Sequence, residues 1–253
     1  MEHALVAETI AITGHGGDAV EAYHARPLGP GPFPSVLLVH HMPGWDEATK
    51  EIARKLAFHG YATIAPHLFS REGGPGVSAE DAAAAARAAE TMTDERFLGD
   101  ATAAISFLRQ QPYASGKVGV IGYCSGGRQA FMSGCRLPVD AAIACYGGNV
   151  VVGPDKLNAR QPMAVIDMVP DLSCPLLCFF GVDDPNPSQD DMRVTEARLA
   201  EHHKDFEIQA YEGAGHGFFS VDRPAYRVEA AKDGWQRVFS FFGRHLAAAE
   251  PHS

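Results

Sequence analysis

Short apolar runs bounded by turn residues alternate along the chain with segments whose apolar positions recur every three or four residues, and these two periods sort it into strands and helices. Val36-Leu37-Leu38-Val39 is a continuous apolar run of the kind a strand buried on both faces requires, and the stretch 61–65 predicts another buried strand. Further strands are predicted over 117–122, 139–146, 174–180 and 206–211. Helical spacing marks 47–59, where Ile52, Leu56 and Phe58 precede the stop at Gly60, and then 97–110, about 125–136, 189–203 and 223–247. Residues 5–12 and 18–25 flank the turn Thr13-Gly14-His15-Gly16-Gly17 and predict an opening hairpin on one edge of a sheet, followed by a Pro/Gly connector from Pro27 to Pro34. Such βα alternation predicts an α/β fold whose mostly parallel sheet is covered by helices on both faces. The 253 residues show no break in this spacing, which predicts a single domain over 1–253.

Two segments depart from the alternation. A glycine-rich loop from Pro66 to Val77 leads into Ser78-Ala79-Glu80-Asp81, which begins like a capped helix, and then into a run of alanines. Strongly helix-forming yet poor in surface to bury, this stretch predicts a small cap or lid inserted over 67–95. The irregular link over 147–173, rich in Gly, Pro and Asn, is placed to form a pocket wall.

Composition narrows the function classes. A formal charge of −10, without any run of Lys or Arg, argues against nucleic acid as a partner. No window approaches the ~20 apolar residues of a membrane span, and the first residues lack the basic and apolar regions of a signal peptide. Five cysteines, an odd number without a C-x-x-C pair, suggest neither a disulfide framework nor a zinc ribbon and fit a reducing cytoplasm. Adjacent strand residues point to opposite faces, so His40 and His41 cannot close one metal site, and no metal is expected.

The chemistry concentrates at Gly122-Tyr123-Cys124-Ser125-Gly126-Gly127, where the strand at 117–122 meets the helix from 125. That junction predicts a nucleophile elbow, with glycines that make room for a sharp turn and a thiol at the attacking position. At the N-terminus of the next helix, the dipole and free N–H groups favour a Cys124 thiolate. A thiol nucleophile needs a base and an orienting acid. His216 lies in Gly-Ala-Gly-His-Gly-Phe after one strand, and Asp183 lies in Gly-Val-Asp-Asp-Pro after the preceding one. The order nucleophile, acid, histidine, each after a strand, is that of an α/β-hydrolase. Asp184 competes with Asp183, which is preferred for standing nearer the strand end. The oxyanion hole is expected from the backbone N–H groups of Ser125 and Met42.

These three motifs, with Gly60-Tyr61-Ala62 and Gly116-Lys117-Val118-Gly119, resemble the dienelactone hydrolase family over nearly the full chain, from about Ala19 to the last helix. The resemblance implies an eight-stranded α/β-hydrolase fold and a Cys124/Asp183/His216 triad. It also implies hydrolysis of a small lactone or carboxylic ester through an acyl-enzyme, with no metal or organic cofactor. Two departures stand out. The family's dienelactone enzymes end the third strand with a glutamate that pairs with the resting thiol, and the matching position here is His41. They hold a substrate carboxylate with arginines, and one such position falls on Ser220 here, leaving Arg71, Arg87, Arg128 and Arg223 as candidates. Two rival readings remain: a catalytically silent ligand-binding protein on the same fold, and a redox-sensing thiol protein.

Overall fold

The computed structural model describes residues 4–74 and 76–247. Residues 1–3, Pro75 of the expected cap and residues 248–253 of the expected domain lie outside it. Eight strands form one sheet in the order β1-β2-β4-β3-β5-β6-β7-β8. The edge strands β1 (Leu5–Thr13) and β2 (Ala19–Pro27) make the antiparallel hairpin, and β2 also runs antiparallel to β4 (Ala62–Pro66). From there the pairing is parallel through β3 (Phe33–Val39), β5 (Ala114–Tyr123), β6 (Ala141–Cys145), β7 (Leu176–Gly181) and β8 (Phe206–Tyr211). Parallel neighbours need crossovers, and α1 (Glu47–Phe58), α4 (Asp94–Gln110), α5 (Ser125–Arg136) and α6 (Gln189–Glu201) are helices of these connections. The last helix, α7 (Val228–Leu246), packs back on the sheet.

Period-two alternation divides the buried residues between two cores. Leu37 and Val39 of β3 face one side with Phe97 of α4 and Phe131 of α5, while Val36 and Leu38 face the other with Leu56 of α1 and Phe241 of α7. Burying each such side chain contributes about 1.5–3 kcal/mol, and both faces of the central strands are filled. A doubly covered parallel sheet leaves its working edge at the carboxyl ends of the strands, where the loops after β3, β5, β7 and β8 meet.

The segment expected to form a cap holds two short helices, α2 (Ser70–Gly73) and α3 (Ala79–Ala88), before α4 begins. Ala82, Ala83 and Ala86 turn inward, and charged clamps hold the surrounding chain: Arg96 of α4 binds Glu72 at 2.5 and 2.8 Å. Arg128 of α5 binds Asp94 bidentately at 2.6 and 2.9 Å, both residues being buried. Removing one member of such a buried pair costs about 3–5 kcal/mol, because the other charge is left uncompensated.

Two helix starts and one link depart from the sequence expectation. The last helix starts at Val228 rather than 223, because Pro224 sits in a turn closed by Tyr226 N–H on the Arg223 carbonyl at 3.0 Å. The α4 helix gains a turn at its start, where the Thr93 hydroxyl accepts the Arg96 N–H at 3.0 Å as an N-cap. The link over 147–173 is not wholly irregular. Its 3-10 turn at Val165–Asp171 buries Val165, Ile166, Met168 and Val169 in the core.

Candidate active site

Between the end of β5 at Tyr123 and the start of α5 at Ser125, Cys124 alone makes the turn, with φ 57° and ψ −121°. A side chain on Gly122 would put its Cβ 1.9 Å from the Gly126 carbonyl oxygen, and one on Gly126 would come within 2.3 Å of the Val39 oxygen. Only glycine tolerates both approaches, so the sequence pattern follows from the tightness of the elbow. Cys124 N–H is held by the Cys145 carbonyl at 3.0 Å, and its own carbonyl accepts the Gly127 N–H at 2.9 Å. The strained residue is thus pinned from both sides at the amino end of a twelve-residue helix.

His216, in the loop after β8, hydrogen-bonds the Cys124 sulfur. The main-chain N–H groups of Ser125 and Met42 bond the same sulfur. Burial pushes the Cys124 thiol up, but the bond and charge of His216 with the two N–H donors outweigh it and bring the thiol below its ordinary value. His216 moves the other way, to about 10, through its bonds to Asp184 and to Cys124. Both shifts favour a thiolate–imidazolium pair over the neutral thiol and imidazole.

The carboxylate bonded to His216 is Asp184, not the expected Asp183. Asp184 Oδ2 lies 2.8 Å from His216 Nδ1, and its Oδ1 accepts the Asn186 N–H at 2.9 Å. After β7 ends, Asp184 N–H closes a turn on the Gly181 carbonyl at 3.1 Å. That turn carries the fourth residue back over the sheet edge and leaves the third facing solvent: Asp184 is buried and Asp183 exposed. Nearness to the strand end is therefore the wrong criterion in this loop.

His41 is engaged with an acid of its own. Its Nε2 binds Asp46 Oδ2 at 2.6 Å, and Asp46 caps α1 by accepting Thr49 N–H and Oγ1–H, each at 2.9 Å. Burial would raise the Asp46 carboxyl, but the His41 and Thr49 hydrogen bonds hold it well below the usual carboxylate range. The N-cap signal lies in Trp45-Asp46 before the helical run, although the sequence does not reveal its histidine partner.

The model of the dienelactone hydrolase family matches residues 20–246. The chain belongs to the dienelactone hydrolase family. It is 32% identical over 247 residues to an Escherichia coli (strain K12) protein named "Putative carboxymethylenebutenolidase", covering 96% of this chain and 89% of that one. A Bradyrhizobium sp protein named "Probable 2-oxo-3-(5-oxofuran-2-ylidene)propanoate lactonase" is 29% identical, over 96% of this chain and 98% of that protein. Among solved structures, a "Putative Dienelactone Hydrolase" from Klebsiella pneumoniae subsp. pneumoniae MGH 78578 superposes with a TM-score of 0.85 at 30% identity, over 95% of this chain and 99% of that one. The eight-stranded, mostly parallel sheet is the α/β-hydrolase architecture of this dienelactone hydrolase family member.

The four arginine candidates separate by partner. Arg71 is engaged away from the elbow, with Asp18 at 2.7 Å and the fully buried Asp100 at 2.8 Å, tying α2 to the hairpin turn and to α4. Arg128 is neutralised by Asp94, and Arg223 is exposed beside Asp222 at 4.0 Å. Arg87, also exposed, reaches the Met42 carbonyl at 3.3 Å.

A cavity of about 290 Å³ lies between α1 and α7, lined by Ile52, Trp235, Phe219, Tyr123, Tyr146 and His41 among others. The Tyr146 ring packs edge-on against His216 at 5.2 Å, and its hydroxyl bonds Ser220. The buried Tyr123 hydroxyl has no hydrogen-bond partner among the described residues. Tyr123 stands in the elbow motif only as the neighbour of Cys124, and Tyr146 carries no motif. Their shared sequence signal is a place at or just past the carboxyl end of a strand.

Proposed function

We propose that this hydrolase cleaves a carboxylic ester or lactone with Cys124 as nucleophile, His216 as proton carrier and Asp184 as the group that orients the imidazole. One observation carries the reading: a single sulfur bonded to His216 and to two main-chain N–H groups, at a strained turn. The names borne by the Escherichia coli and Bradyrhizobium relatives support the substrate class.

The thiolate attacks the carbonyl carbon, and the carbon–oxygen π electrons move to the oxygen. The negative charge leaves the sulfur, and the Met42 and Ser125 N–H groups follow it to the new oxyanion. Collapse expels the alcohol or enol oxygen, which takes the proton from the His216 imidazolium, and a thioester remains on Cys124. In a lactone both fragments stay in one molecule. Neutral His216 then removes a proton from water, whose oxygen attacks the thioester. The second adduct releases the carboxylic acid and restores the thiolate. Asp184 keeps Nδ1 bonded throughout, so that Nε2 faces the reacting atoms.

A thiolate is itself a good leaving group, so an adduct with a poor one reverts. Enol lactones and aryl esters are therefore the expected substrates, ahead of simple amides. Parallel assays with p-nitrophenyl acetate and a dienelactone test this, with Cys124→Ala expected to abolish turnover and an acyl mass expected on Cys124 of the quenched wild type. Folded wild type inert on both esters, or a Cys124→Ala variant that still turns over, would overturn it.

A further inference from the structure

The strand end that carries Met42 holds a buried histidine for which the reaction above has no use. His40 is 2% exposed. Its Nδ1 lies 2.8 Å from the His41 carbonyl oxygen, and its Nε2 lies 3.1 Å from the Leu68 nitrogen. A carbonyl only accepts and a backbone N–H only donates, so the partners determine the tautomer: the proton is on Nδ1 and Nε2 is bare. Burial, with the His67 and His41 rings nearby, holds its pKa down at about 3, so the ring stays neutral.

The His41 carbonyl and the Met42 N–H belong to one planar peptide unit and point in opposite directions. Holding the oxygen therefore aims the N–H. That N–H is the one bonded to the Cys124 sulfur. A reversed peptide would turn a carbonyl oxygen, with its negative end, toward the place where the oxyanion forms. A hydrogen bond to the carbonyl also polarises the unit and strengthens the N–H as a donor. The same oxygen accepts the Gly44 N–H at 3.1 Å, so the turn alone is the competing support.

We propose that His40 is a positioning residue which, through Nδ1–H, holds the peptide unit 41–42 with the Met42 N–H directed at the reacting centre. The proposal rests on the Cys124 reading given above. Its other nitrogen joins this peptide to the cap: Leu68 N–H is held by Nε2, and the Leu68 carbonyl accepts from Arg96 Nη2 at 3.1 Å. His40 thus links the start of the cap segment to one donor of the oxyanion hole.

Two amide substitutions separate the ring nitrogens. His40→Asn keeps a donor near the position of Nδ1, whereas His40→Gln keeps an acceptor near that of Nε2. The expected result is a kcat loss of about 10–100-fold in His40→Gln, with KM within about threefold, while His40→Asn stays within about threefold of wild type. The pH midpoint of Cys124 alkylation by iodoacetamide should rise in His40→Gln, because a donor to the thiolate is lost, and remain in place in His40→Asn. Nitrogen-15 spectra of the unmodified protein should show Nδ1 protonated and Nε2 bare across neutral pH. Equal losses in the two variants, the reverse order, an unmoved alkylation midpoint in His40→Gln, or an Nε2–H tautomer in the wild type would each overturn the proposal. If the wild type hydrolyses no ester, the proposed function fails, while the alkylation midpoint and the tautomer still decide the role of His40.

Discussion

Two histidine–aspartate pairs sit at the carboxyl edge of this sheet, His216–Asp184 after β8 and β7 and His41–Asp46 after β3, and the first acts on the Cys124 sulfur. Bond length does not distinguish them: the idle pair is the shorter, 2.6 Å against 2.8 Å. The difference lies in which ring nitrogen faces the acid. His216 gives Nδ1 to Asp184, which leaves Nε2, the outer nitrogen, for Cys124. His41 gives Nε2 to Asp46 and so turns its outer end away from the reacting atoms and toward a helix cap. The acids differ as well. The Asp184 side chain is 1% exposed and bonds the imidazole and one backbone N–H, whereas Asp46 is 27% exposed and shares its oxygens with Thr49. What sets the two dyads apart is aim.

The comparison can be broken most sharply at the working pair. His216→Gln is expected to lower kcat/KM by at least about 10³-fold, since proton transfer and thiolate formation are lost together. Asp184→Asn should cost about 10²–10⁴-fold through a misdirected tautomer, while Asp183→Asn stays within about twofold. A larger loss in Asp183→Asn would reverse the assignment. The pH dependence sharpens the same point. Alkylation of Cys124 should titrate below the ordinary thiol midpoint of about 8.5, as the lowered thiol requires, and His216→Gln should move that midpoint upward. Hydrolysis should fall as pH rises through about 10, where His216 loses the proton that the leaving group needs. A midpoint unmoved by His216→Gln would show that the elbow alone ionises the sulfur.

At the idle pair the effects shrink. His41→Gln should lower kcat/KM by less than about tenfold, because the imidazole holds a cap and lines the cavity without touching the sulfur. Asp46→Ala should cost about 1 kcal/mol of stability in urea denaturation, the usual effect of a lost N-cap, and leave kcat nearly unchanged. If Asp46→Ala cripples turnover as Asp184→Asn does, the two pairs work together and the distinction falls.

The one-dimensional pattern determined what depends on neighbours in the chain. Apolar runs marked the strands because a doubly covered sheet buries both faces of its central strands, and Val36, Leu38, Leu37 and Val39 divide between the two cores accordingly. The elbow was legible because Gly122 and Gly126 leave their mark in the sequence wherever backbones approach this closely. The backbone N–H groups of Met42 and Ser125, which act on the Cys124 sulfur, follow from position in the chain rather than from side-chain identity. Charged and imidazole side chains escaped such reading. Whether Asp183 or Asp184 meets the histidine depended on a turn of one residue, and whether an arginine faces substrate or a buried carboxylate depended on Asp94 and Asp100, residues of another element. Local sequence carries the backbone's steric demands, whereas the partner of a long polar side chain is chosen by whichever distant group the packed fold brings within about 3 Å, and only the tertiary structure decides that.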